Sequence, residues 1–394
     1  MWGKFSAGNY YHMAIDNRNR KEFGTGFNHG FTPLESLDIN TVNDADEMLS
    51  AMSKTSFGGR TLGDAATVLY NMITDPDCFT VMTLSGAMTV AKMGLVAAEM
   101  VDRDMVHAII STGALMTHGL VENTGMNHFK YDFSRSDSEL AKLGYDRVYD
   151  TLELESNLDS LEEIVFPIFE KLDPLHTYCS HEIVGKIGEH LFNKVKGRGI
   201  VQSAFKKHVP IYIPALTDSE LGLDWALFNR WQKLHNKPTL NFNPFNDLNH
   251  FTELVLKFKK IGIFTIGGGV PRNWAQQVGP FLDLIRWRIL DKASHDVYRN
   301  DHDSPYFKAY TYAVRICPEP VHWGGLSGCT YSEGVSWGKF FDPKKEGGQF
   351  AEVLSDATLV WPLLLKAVTE RLKKNNVTIK KNFDNEKILQ SVAI

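Results

Sequence analysis

The chain has 394 residues but only four cysteines (Cys78, Cys179, Cys317 and Cys329), and none is in a Cys-x-x-Cys pair. That excludes a disulfide scaffold and predicts reduced thiols in a cytoplasmic protein. No apolar run reaches the roughly 18 residues of a membrane span, so no transmembrane helix is expected. Met1-Trp2-Gly3-Lys4 leads into no apolar h-region, so no signal peptide is predicted either. The net charge of −5 lacks the basic excess of a nucleic-acid binder and is compatible with a cationic small substrate. No Walker A pattern and no strict G-x-G-x-x-G is present. Ser85, Ser111 and Ser327 stand near glycines without forming a G-x-S-x-G elbow. His176, Cys179 and His181 are close, but no second ligand pair matches them, so no metal site is expected. Internal repeats and low-complexity linkers are lacking as well.

What remains is an ordinary globular composition, 43% hydrophobic and 23% charged. Residues 1–35 are polar, glycine-containing and aromatic, and read as an arm that needs a partner surface. Residues 36–372 read as one large domain, and 373–394 as a polar, solvated tail. Strand-like runs occur at Cys78–Leu84, Val106–Ser111, Ile211–Leu216, Ile261–Ile266 and Tyr310–Ile316, with a weaker one at Ala351–Ser355. Helical stretches separate them. This predicts an α/β fold, a Rossmann-like, mainly parallel sheet flanked by helices. Residues 134–200 read as helical, with Ser180 as a cap and Ile183, Val184, Ile187, Leu191 and Phe192 on one apolar face. Phe281–Asp303 reads as a further helix.

Small or turn-forming residues follow the strand candidates. They are Ser85-Gly86-Ala87, Thr112-Gly113-Ala114, Thr217-Asp218-Ser219, Gly267-Gly268-Gly269 and Asp356-Ala357-Thr358. Carboxyl ends of parallel strands form a ligand crevice, and glycines there let a backbone approach a phosphate. The pattern predicts a nucleotide site. Asp218 suits either a ribose hydroxyl or a helix cap.

Ser332-Glu333-Gly334-Val335-Ser336-Trp337-Gly338-Lys339 carries the chemistry. A lysine that loses solvent can attack an imine or carbonyl carbon as a neutral amine. Tryptophan can cover a cationic chain and glutamate can hold an ammonium group. The plain alternative is a surface lysine after a turn.

With these residues the chain resembles the deoxyhypusine synthase family and its bacterial and archaeal relatives. The segments are PALTDSELG (214–222), GGGV (267–270), GGLSG (324–328), EGVSWGK (333–339) and SDATLVWPLLL (355–365), in the family's order. The resemblance implies an NAD-dependent aminobutyl transferase. Spermidine would be oxidised to an imine and captured by Lys339, with loss of 1,3-diaminopropane. The aminobutyl group would pass to an acceptor amine, either a lysine of translation initiation factor 5A or, in homospermidine synthases, putrescine. It implies NAD contacts at Ser85, Gly86, Ala87, Thr112, Gly113, Ala114, His118, Asp218, Gly268, Asp356 and Ala357. It implies polyamine contacts at Asp224, Asn273, Gly324, Gly325, Glu333 and Trp337. It also implies a homotetramer. Asn273 stands where the eukaryotic enzymes carry histidine, and Leu223 where they carry aspartate, with Asp224 one place later. Thr117 and His118 replace two glutamates, and Ser85-Gly86-Ala87 replaces Thr-Ser-Asn. A non-catalytic NAD-binding assembly protein is the reading from a different class.

Overall fold

A computed structural model describes residues 19–290, 304–325 and 329–392. The first half of the expected arm (1–18), most of the polar stretch 294–305, and Ser327 with Leu326 and Gly328 therefore lie outside the described residues.

Six strands build the central sheet: β1 (Cys78–Leu84), β2 (Ala108–Ser111), β3 (Ile211–Tyr212), β4 (Lys260–Ile266), β5 (Tyr310–Ile316) and β6 (Gln349–Val353). Their spatial order is β6-β5-β4-β1-β2-β3, and every pairing is parallel. Read from the other edge this is 3-2-1-4-5-6, the doubly wound order that reverses direction between strands 1 and 4. The predicted α/β class and parallel sheet are borne out.

Both faces of the sheet are covered, which is why the strands read as continuous apolar runs. In β1, Cys78, Met82 and Leu84 enter one core while Phe79 and Val81 enter the other. The first core gathers the helices Phe57–Thr74, Ser180–Lys194 and Ala357–Lys374. The second gathers Pro244–Leu256, Gly269–Gln276 and Val278–Ile285.

Several expectations differ from the structure, each for a physical reason. β3 stops at Tyr212 because Pro214 has no N–H for a ladder and Ile213 N–H donates to Ser180 Oγ (2.7 Å). Ser180 is thus a tertiary acceptor, and Cys179 is the N-cap of its helix. Phe192, expected on the buried stripe, is exposed. The stretch 134–200 is not helical throughout. Tyr145–Val148 and Thr151–Leu154 form an antiparallel hairpin, closed by Tyr149 in left-handed backbone (φ +55). The helix expected over 281–303 is described as Val278–Ile285 followed by a π turn at Arg286–Leu290, and the remainder lies outside the described residues.

The tail after residue 374 is not simply solvated. Lys381 Nζ donates to the carbonyls of Asp75 and Cys78 (2.9 and 3.1 Å). Phe383 packs on Phe79, His107 and Phe258. The apolar residues Phe383, Ile388 and Leu389 close the second core. Within the arm, Phe23, Phe27 and Phe31 are exposed in the single chain.

Candidate active site

The turn after β1 meets the turn after β4 at the point where strand order reverses. Ser85 Oγ donates to Ile266 O (3.1 Å) and accepts from Gly268 N (2.9 Å). Gly267 N–H donates to Ile316 O (2.7 Å), and Arg315 Nε donates to Gly267 O (3.1 Å). A Cβ on Gly267 would lie 2.3 Å from Ser85 Oγ, so only glycine fits this contact. Gly86, Gly267 and Gly269 hold left-handed backbone at φ +78, +79 and +62. The helix Gly269–Gln276 begins at Gly268 with no side-chain cap.

The neighbouring turns line the same carboxyl edge. Thr112 caps the helix Gly113–Asn123. Gly113 lies so close to Ser219 that a Cβ would be 2.1 Å from its Oγ, which brings the β2 and β3 turns together. Ser219, not Asp218, caps the helix Glu220–Leu234, and Asp218 is exposed. Ala114 is half-buried, and Gly86 and Ala87 are exposed. Asp356 is the N-cap of Ala357–Lys374, accepting from Thr358 N (2.7 Å), with Ala357 buried behind it. At the ends of β5 and β6 a pocket of about 270 Å³ is lined by Arg315, Glu319, His322 and Glu352. Gly325 packs against the Glu319 carboxylate there, and Gly324 is a left-handed turn (φ +74). This edge has the glycine geometry and the helix start that a dinucleotide phosphate requires.

His118 joins a different group. Its Nδ1 lies 3.1 Å from Glu153 Oε2, and His128 Nε2 lies 2.6 Å from the same oxygen. Burial opposes the charge on Glu153, yet hydrogen bonds from His118, His128 and Asn157 hold its carboxyl well below the usual range. Nothing local in the sequence pointed to Glu153, which is 35 residues from His118.

The lysine segment explains itself residue by residue. Thr330 and Glu333 form a capping box at the start of Tyr331–Ser336. Gly334 is required because a Cβ would sit 2.5 Å from the Phe340 ring. Gly338 is left-handed (φ +68). Its N–H donates to Val335 O and that of Lys339 to Gly334 O, both at 3.0 Å, the two bonds of a Schellman end. Phe340 then locks into Tyr310, Tyr331 and Phe350. The local sequence therefore dictates where Lys339 leaves the helix.

The Lys339 amine lies 5.7 Å from the Trp337 ring centroid, within cation–π reach. Trp337 and Glu333 are exposed. Burial lowers the Lys339 pKa, and the Arg272 charge adds to that, while Cys329 opposes it. The backbone of Lys339 accepts from Tyr310 N (2.9 Å), at the amino end of β5, away from the carboxyl-edge turns. Arg272 links the two regions. It is buried, belongs to the helix that leaves the triple glycine, donates to Cys329 O (2.7 Å) and stacks on Tyr331 (5.0 Å). Sequence reasoning missed Arg272, although it sits two residues past GGGV. Asn273, its neighbour, is exposed.

Asp224 stands on the helix Glu220–Leu234, which packs on the helices Gly113–Asn123 and Glu155–Phe169. Burial, then the charges of Glu162 and Glu220, push its carboxyl up to about 6. Three acids crowded in this way suit a cation.

The fold defines a doubly wound α/β protein, with a half-buried lysine that feels the charge of Arg272 on the helix that follows β4. The deoxyhypusine synthase family model matches residues 47–368. A Methanosarcina acetivorans protein named "probable deoxyhypusine synthase 2" is 29% identical over 86% of this chain and 91% of its own. The "deoxyhypusine synthase-like protein" of Chlorobaculum parvum is 31% identical over 84% of this chain and 88% of its own. A solved chain described as "a putative deoxyhypusine synthase from Entamoeba histolytica" superposes with a TM-score of 0.54 at 16% identity, covering 89% of this chain and 99% of that one. The chain belongs to the deoxyhypusine synthase family, a family of transferases. Among the described residues no helix is long and apolar enough to cross a membrane.

Proposed function

We propose that this protein is an NAD-dependent aminobutyl transferase acting on spermidine, with Lys339 as the covalent carrier. The observation that carries the reading is the Lys339 amine, disfavoured as an ammonium by burial and set over the Trp337 ring. A lysine deprived of solvent is available as a nucleophile near neutral pH.

NAD would be held at the carboxyl edge by Ser85, Gly86, Ala87, Thr112, Gly113, Ala114, Asp218, Gly268, Asp356 and Ala357, with His118 nearby. When bound, it supplies the hydride acceptor for oxidation of the secondary amine. Trp337 covers the cationic chain, and Glu333, Asp224 and Asn273 hold its nitrogens. Gly324 and Gly325 leave room along the same edge. The Lys339 amine adds to the substrate imine carbon, 1,3-diaminopropane departs, and the four-carbon group stays on Lys339 as an imine. An acceptor amine then takes that group by the same exchange, which frees the lysine, and the resulting imine would be reduced to the amine product by return of the hydride that NAD had accepted. A homotetramer would bring the separated acids of one chain to the lysine of another.

The test is mass spectrometry of protein incubated with spermidine and NAD and quenched with borohydride. A four-carbon amine adduct on Lys339 is expected, and its absence would sink the reading. Adding putrescine or translation initiation factor 5A, one at a time, identifies the acceptor. Homospermidine as the product would assign the small-amine activity.

A further inference from the structure

A second chemical cluster lies outside the crevice, where the helix Ser180–Lys194 starts against the helix Pro244–Leu256. Cys179 Sγ is 3.2 Å from His181 Nδ1, and that nitrogen is 2.9 Å from Asp247 Oδ1. All three donor atoms lie within 4.8 Å of one another. Glu182 Oε2 is 3.2 Å from the same sulfur. Cys179 and Asp247 are buried, and His181 is partly exposed. Beside them opens a pocket of about 360 Å³, lined by His176, Glu182, Val184, Phe205, His208 and His250.

The donors are already oriented by their surroundings. Asp247 accepts from the backbone N–H groups of Ser180 (2.9 Å) and His181 (3.1 Å). The His181 ring stacks on His250 at 4.0 Å, and His250 is bonded to Tyr212 Oη (2.7 Å). Glu182 is held by Cys179 N (3.0 Å) and His176 (2.9 Å). Such outer partners are what fix metal ligands in place.

A capping box between Cys179 and Glu182 accounts for those two side chains, but not for the His181 ring nitrogen held between the thiol and Asp247. Asp247 already takes the first N–H groups, and a serine would cap better than a thiol. The charges are also unbalanced. Among the described residues no lysine or arginine pairs with Asp247 or Glu182. The His118, His128 and Glu153 group differs, because Lys92 bonds His128 (2.9 Å) and Asn157 donates to Glu153 (2.8 Å). A divalent cation among Cys179, His181 and Asp247 would offset the two carboxylates of Asp247 and Glu182.

We propose that Cys179, His181 and Asp247 form a binding site for a Zn²⁺-class divalent metal, with the fourth position facing the pocket beside Glu182. One sulfur, one imidazole nitrogen and one carboxylate oxygen suit Zn²⁺, whereas Mg²⁺ and Ca²⁺ favour oxygen alone. Donors about 2.0–2.3 Å from a tetrahedral ion stand roughly 3.4 Å apart, so the Cys179–His181 and His181–Asp247 pairs need to open by only a few tenths of an ångström. Binding releases the thiol proton to solvent as the sulfur–metal bond forms. The ion would tie two helices together and leave one position for water or a small ligand.

The test is titration of the full-length, chelator-treated protein with Co²⁺ as the optical stand-in for Zn²⁺. One equivalent per chain should give a thiolate-to-cobalt charge-transfer band and intense tetrahedral d–d bands, both displaced by Zn²⁺. Cys179→Ser should lose the charge-transfer band. His181→Ala, confirmed folded by circular dichroism, should keep the band and bind at least about 10-fold more weakly. No band in the wild-type protein, a band that survives Cys179→Ser, or unchanged affinity in His181→Ala would each overturn the site. This test is independent of the Lys339 adduct.

Discussion

Lys339 and Trp337 are two residues apart and face each other, with the amine 5.7 Å from the indole centroid. Gly338 between them makes this possible, because its left-handed backbone (φ +68) turns the chain so that the lysine folds back. Lys339→Ala is expected to abolish the borohydride-trapped adduct while changing stability by less than about 1 kcal/mol, since the lysine side chain makes no hydrogen bond to another side chain or backbone group among the described residues. Intact-mass spectrometry and a melting curve check both parts.

Gly338→Ala should be costly out of proportion to its size. A Cβ meets nothing there, so the penalty is conformational, about 1–2 kcal/mol for a left-handed non-glycine residue. Denaturant unfolding measures that loss. If Lys339 is the carrier, adduct yield should fall further than stability does.

Trp337→Ala should leave the fold nearly unchanged, because the ring is 65% exposed. Loss of a cation–π partner of about 0.5–2 kcal/mol should raise the spermidine KM about 2–30-fold. Trp337→Phe should recover part of it. A KM identical to wild type in the alanine variant would remove Trp337 from the polyamine site.

Asp224 gives a pH dependence with a defined sign. Its folded-state pKa is raised to about 6, above an unfolded value of about 3.9. The protonated form therefore favours the fold. That contribution is complete below about pH 3.9 and lost as pH climbs through about 6. Asp224→Asn should match wild type in stability near pH 4. It should exceed wild type by about 1–2 kcal/mol at pH 7.5, a figure reduced from the full shift for the solvent the group retains. Thermal melts at the two pH values decide this. At pH 7.5, spermidine should stabilise the wild type more than the variant.

Ser85→Ala should weaken the switch-point turn. The hydroxyl bridges Ile266 O and Gly268 N, and its removal leaves a backbone N–H without that acceptor, at about 1–2 kcal/mol. Calorimetric titration with NAD should show reduced affinity relative to wild type. Equal affinity would separate this turn from the cofactor.

Local patterns in the sequence determined most of the central-sheet strands, the glycine turns and the course of EGVSWGK, but not the early end of β3 against Ser180 or the hairpin 145–154. Those features depend on residues a few positions apart: a continuous apolar run in a strand covered on both faces, a capping box across Thr330 and Glu333, and a helix end at Gly338. Tertiary structure decided the rest. Only the folded chain puts Asp247 beside Cys179, Glu153 between two histidines, Arg272 under the lysine segment and Phe383 against the sheet. These pairs are far apart in sequence and meet because the parallel strands close in a particular order, which no local periodicity encodes.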